Sequence, residues 1–202
     1  LIVLNGLNEI SSGLRDELIT AHQNGQRILV IPGDDITFND YNPLLRALSL
    51  PELGSSQANG LNLQRINDDD PFFRGVFEKK QERLNVSLVK KAYSVKNQTQ
   101  SSATPLLILR SGQALFMRAN AHSFLWTCAL QPAFGSLVNQ SLFPTILLRC
   151  GEFASERYPA YATLGQDAQI KVRATHQEES PLRLSAASSE FIAQYIASPN
   201  VL

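Results

Sequence analysis

Two cysteines, one methionine and one tryptophan are all that 202 residues contain of these types. Cys128 and Cys150 share no C-x-x-C motif, which removes zinc-ribbon and thioredoxin-type chemistry. Both sit in apolar runs and read as small core hydrophobes. A disulfide between them would close a short loop and contribute about 3 kcal/mol, so cysteine count fixes no compartment. Neither sign of charge dominates, with 18 Lys plus Arg against 18 Asp plus Glu. Without a basic surplus there is no footprint for nucleic acid or anionic lipid, and Lys90, Lys91 and Lys96 read as a solvated face. No apolar run reaches the ~18 residues of a membrane span. No charged segment leads into an apolar one as in a signal peptide. Nucleophile-elbow, P-loop and dinucleotide fingerprints are also missing, as is any internal repeat.

What remains is the composition of a folded domain: 44% hydrophobic and 18% charged residues. A chain of this length buries about 70% of its unfolded surface and needs no staples. One domain, or one domain with part of another, is expected. The chain starts without an initiator Met inside a strand-like run, Leu1 to Leu4, and so reads as a piece of a longer protein.

The opening predicts a βαβ unit. Leu1–Leu4 and Ile28–Ile31 are apolar runs of buried-strand type. Ser11 or Ser12 caps a helix between them with Leu14, Leu18 and Ala21 on its apolar face, and Asn24-Gly25 ends it. Strand, helix and strand within about thirty residues imply a parallel pair. A short helix carries Leu44, Leu45 and Leu48, and Pro51 to Gly60 reads as a loop. Leu61, Leu63 and Ile66 look extended, and Asp70-Pro71 opens a helix. Val86, Leu88 and Tyr93 have strand character, and Asn97 to Ser102 is a polar loop. Residues 105–110 and 113–118 form a hairpin about Ser111-Gly112. Phe124, Trp126, Cys128 and Leu130 alternate as in a further strand. Leu142 to Arg157 is helical, with Pro144 in its first turn. Beyond Tyr158-Pro159 short strands replace helices, at Ile170, Val172, Leu182, Leu184, Phe191, Ile192 and Tyr195. The expected domains are therefore 1–160 and a β-rich segment, 161–202. The fold class is α/β: three layers, a mostly parallel sheet flanked by helices, and a partial antiparallel tail.

Candidate sites are few. Asp34 and Asp35 follow the second strand, where ligands gather in open α/β sheets. They are weak ligand-site candidates, as acid and base or as metal ligands, although turn chemistry after Pro32-Gly33 accounts for them as well. Asp68, Asp69 and Asp70 lack calcium-loop spacing, and Asp70 serves as a cap. His22, His122 and His176 show no metal-ligand spacing. Cys128 with His122 would need a tight bend to act as nucleophile and base. Trp126 or Tyr158 would be the stacking platform of a small-molecule or glycan-binding module, with core burial the plainer reading of Trp126.

Leu1-Ile2-Val3-Leu4-Asn5-Gly6-Leu7, then Gly13-Leu14, then Gln26 to Gly33, resembles the class I glutamine amidotransferase-like fold. The same residues resemble one non-enzymatic user of it: large membrane proteins of Bacteroidetes with an aerotolerance-regulator (Bat-type) N-terminal double-transmembrane region. Ser141 to Arg149 is similar to the segment closing that domain, and Tyr161 to Val172 to the start of its β-rich continuation. In amidotransferases of this fold a catalytic Cys follows the strand corresponding to Ile28–Ile31. Here that turn holds Pro32, Gly33 and Asp34, none a nucleophile, and no His-x-Glu pair follows. The resemblance therefore implies a non-catalytic interaction or scaffolding domain. It would be anchored to the inner membrane by segments outside this chain and placed in the periplasm, with other envelope proteins as partners and no cofactor or metal. The alternatives are a hydrolase of the same fold using Asp34 or Asp35, or the binding module.

Overall fold

A computed structural model describes residues 1–58, 61–77, 89–96 and 101–153, together with the backbone of two strands at 183–186 and 189–192. The chain divides into two compact units, Leu1–Ser155 and Glu156–Leu202. In the first, β1 (Ile2–Leu7) leads through α1 (Ser12–Gln23) to β2 (Ile28–Pro32). Ser11 is the cap, its hydroxyl accepting from Leu14 N at 3.3 Å. Gly25, at φ +80°, turns the chain out of the helix, a conformation that costs glycine nothing. β1 and β2 are parallel, with Ile2 to Asn5 in register with Ile28 to Ile31. All five β2 residues are buried, as a strand covered on both faces requires.

α2 (Phe38–Ala47) follows, burying Tyr41, Leu44 and Leu45. The stretch expected as a loop at Pro51 to Gly60 instead contains β3 (Glu52–Gln57), antiparallel to β5 (Ala92–Lys96). The Asn42 side chain accepts from Leu53 N at 2.9 Å and donates to Leu53 O at 3.1 Å. A contact from the preceding helix thus overrides the weak strand propensity of Leu-Gly-Ser-Ser.

β4 (Leu63–Ile66), β6 (Thr104–Leu109), β7 (Ala114–Ala119) and β8 (Ser123–Trp126) complete a six-stranded sheet in the order β1-β2-β8-β7-β6-β4. The expectation of a mostly parallel sheet holds for one half only. β2 pairs β8 in parallel, whereas β8–β7, β7–β6 and β6–β4 are antiparallel. The reason is connection length. β6, β7 and β8 are joined by tight turns with positive φ at Gly112 and Asn120, and such turns join only antiparallel neighbours. β8 is buried at all four positions rather than alternating, and ends at Trp126.

Asp70 caps a 3₁₀ turn, Pro71–Phe73, accepting from Phe72 N at 2.9 Å. It also takes two bonds from Arg118, Nε to Oδ1 at 3.0 Å and Nη2 to Oδ2 at 2.9 Å. α3 (Leu142–Glu152) buries Ile146 and Cys150. Phe72 lies at the centre of an aromatic cluster with Phe73, Phe116, Phe124 and Phe153. In the second unit, β9 (Arg183–Ala186) and β10 (Ser189–Ile192) form an antiparallel pair. The readings at Val86, Leu88, Tyr158, Ile170, Val172, His176, Leu182 and Tyr195, and most of the loop from Asn97, fall outside the described residues.

Candidate functional site

The carboxyl ends of β1 and β2 lie side by side and carry Asn8, Gly33, Asp34 and Asp35. Asp34 and Asp35 are exposed. Asn8 clasps the turn: its Nδ2 donates to Asp34 Oδ1 and its Oδ1 accepts from Asp35 N, both at 3.4 Å. Gly33 N donates to Leu7 O at 3.1 Å and Thr37 N to Asn8 O at 2.8 Å. The end of β1 therefore occupies the N–H groups of Gly33, Asp35 and Thr37. Stabilising an oxyanion requires such donors to be free and convergent.

Two tyrosines close the turn from beneath. Tyr93, buried at the start of β5, donates its hydroxyl to Gly33 O at 2.8 Å. Tyr41, from α2, donates to Leu7 O. Burial pushes the Tyr41 phenol up to about 12, with Tyr93 adding to the shift and a backbone hydrogen bond at Gly33 opposing it. Burial also raises Tyr93, against a backbone bond at Ile36, and the negative charges of Asp34 and Asp35 raise it further. Both phenols are protonated donors at neutral pH. Gly33 is required by proximity: a Cβ there would stand 2.7 Å from Leu7 O and closer still to Asn8 Oδ1.

The other sequence candidates scatter. Cys128 and Cys150 are free thiols, both buried. Burial pushes Cys128 up to about 12 and Cys150 higher, the reverse of an activated thiolate. His122 precedes β8 and Cys128 lies beyond its end, so a four-residue strand, about 13 Å long, stands between them. Trp126 is not a stacking platform, being 0% exposed and packed on Phe116 and Phe143. Lys91 lies over the Phe134 ring, 5.0 Å from its centroid. Among the described residues no group of three or more His, Cys, Asp or Glu side chains is placed to hold a metal, and no helix is long and apolar enough to cross a membrane.

One cluster escaped the sequence. His22 on α1 meets Ser123 at the start of β8, Nε2 to Oγ 2.9 Å, at the opposite end of the strands from Asp34. Ser123 is fully buried, so this pair gives no substrate access. Their separation of 101 residues leaves no local signal. Comparison with protein-family models and with curated proteins finds no match to this chain.

Proposed function

We propose that this chain is a non-catalytic α/β domain with an interaction or scaffolding role, built on the three-layer amidotransferase-like or flavodoxin-like plan. We assign it to a membrane-anchored protein of the bacterial cell envelope, with its anchors outside this chain. One observation supports the non-catalytic reading above others. The turn after β2, where chemistry is placed in sheets of this class, has its Gly33, Asp35 and Thr37 N–H groups bound internally. Its Gly33 carbonyl is likewise taken by Tyr93. The parallel β1-α1-β2 unit and the absence of a thiol or hydroxyl at Pro32, Gly33 and Asp34 are in keeping with the resemblance on which the envelope assignment rests.

Fractionation of cells producing the natural full-length product tests that assignment. The product is expected in the inner-membrane fraction, with this domain digested by protease added to spheroplasts. Recovery in the soluble cytoplasmic fraction would overturn the anchoring and the compartment together.

A further inference from the structure

We propose that the outer edge of β1 is a self-association surface, on which β1 of a second copy adds antiparallel and continues the sheet across a twofold axis. Among the described residues the edge strands of the sheet are β1 and β4. β4 is blunted in the way natural edges are: four residues long, with Gln64 and Arg65 exposed and a register break between Leu63 and Arg65. β1 has six residues, none charged and none proline, and its register breaks only beyond Asn5. An edge lacking lysine, proline and early bulges is a template for another strand.

The backbone direction agrees. Ile2 N donates inward, to Arg27 O at 2.7 Å. Strand alternation then turns the N–H and C=O of Val3 and Asn5 away from β2. Apolar side chains are exposed along the strand as well: Leu1 is 44%, Val3 42% and Leu7 37% exposed.

Charge selects the occupant. A twofold sets each strand against its own sequence, so a charged edge repels itself. β4 would bring Arg65 towards Arg65, whereas β1 brings no charge to itself. The chain's balance of 18 against 18 adds no long-range repulsion. Pairing centred on Leu4 sets Val3 opposite the copy's Asn5 and forms about four backbone bonds. This pairing does not depend on whether the turn after β2 is inert, and the two claims are read in separate experiments.

The test is the mass of the whole chain in solution by light scattering over a dilution series, with amide exchange at Val3 and Asn5. A dimer is expected whose Val3 and Asn5 amides are protected only at concentrations where it forms. Val3→Lys should raise the half-dissociation concentration roughly tenfold or more, while Arg65→Glu on the opposite edge leaves it unchanged. A monomer at every concentration overturns the proposal. So does a dimer whose Val3 and Asn5 amides exchange freely, a reading that does not require Val3→Lys to fold.

Discussion

His22 and Ser123 are joined across 101 residues by a 2.9 Å contact between Nε2 and Oγ, tying the last turn of α1 to the first residue of β8. Burial lowers the His22 pKa below the ordinary 6.5, and the neighbouring His122 lowers it further. His122 Nδ1 is itself buried, with no hydrogen-bond partner among the described residues. Below pH 6.5 the unfolded chain takes up a proton at His22 that the folded chain resists. The stabilisation is therefore complete above that value and is lost as pH falls through the lowered one. Melting temperatures should drop as pH falls below about 6.5. His22→Gln, which keeps a bond to Ser123, should flatten the dependence. A slope unchanged in His22→Gln would assign the effect elsewhere.

The Arg118–Asp70 pair is bidentate, with the side chains 18% and 6% exposed. Removing one partner strands a buried charge, and Arg118→Met should cost about 3 kcal/mol in denaturant unfolding. Arg118→Met with Asp70→Ala should cost less than the sum of the single changes, because the second change removes the stranded carboxylate. Strict additivity would show the two residues to be uncoupled.

Gly33→Ala probes the clasp between β1 and β2. The added methyl meets the Leu7 carbonyl, a backbone atom that cannot rotate away. A loss of about 1–3 kcal/mol is expected, with a fall in melting temperature. A neutral substitution would mean that the two strand ends are not held together as described.

Both thiols should be inert in the folded protein and reactive after unfolding. Cys128 is held near 12 by burial, so thiolate is negligible at neutral pH. A colorimetric thiol reagent should detect no thiol in the native chain within minutes and two in denaturant. A fast native thiol would contradict the burial of Cys128 and Cys150.

The parts of this fold that were legible in the sequence are those written locally. The Ser11 cap, Gly25 and two apolar runs spell out β1-α1-β2, and Ser111-Gly112 between apolar runs spells out the β6–β7 hairpin. β3 was not legible because its strand conformation depends on the Asn42 side chain and on β5, about forty residues away, while its own composition favours a loop. The mixed sheet was hidden because a fully buried strand such as β8 looks alike whether its neighbour is parallel or not. At the candidate site, Asp34 and Asp35 were readable from the turn after Ile28–Ile31. The roles of Asn8, Tyr41 and Tyr93 were not, since each reaches the turn or the end of β1 from a distant part of the chain, largely through backbone atoms, and such contacts leave no motif.

The most direct measurement of the turn's inertness is turnover by the purified chain, alone and with added divalent metals, on glutamine and on simple ester, amide and phosphoester substrates. Asp34→Asn/Asp35→Asn is assayed alongside. Because both carboxylates are exposed, the double variant should fold with stability changed by about 0.5 kcal/mol or less. Release at the buffer rate by both proteins is the predicted result. Turnover by the natural sequence that disappears in the folded double variant would contradict it and make this turn an active site.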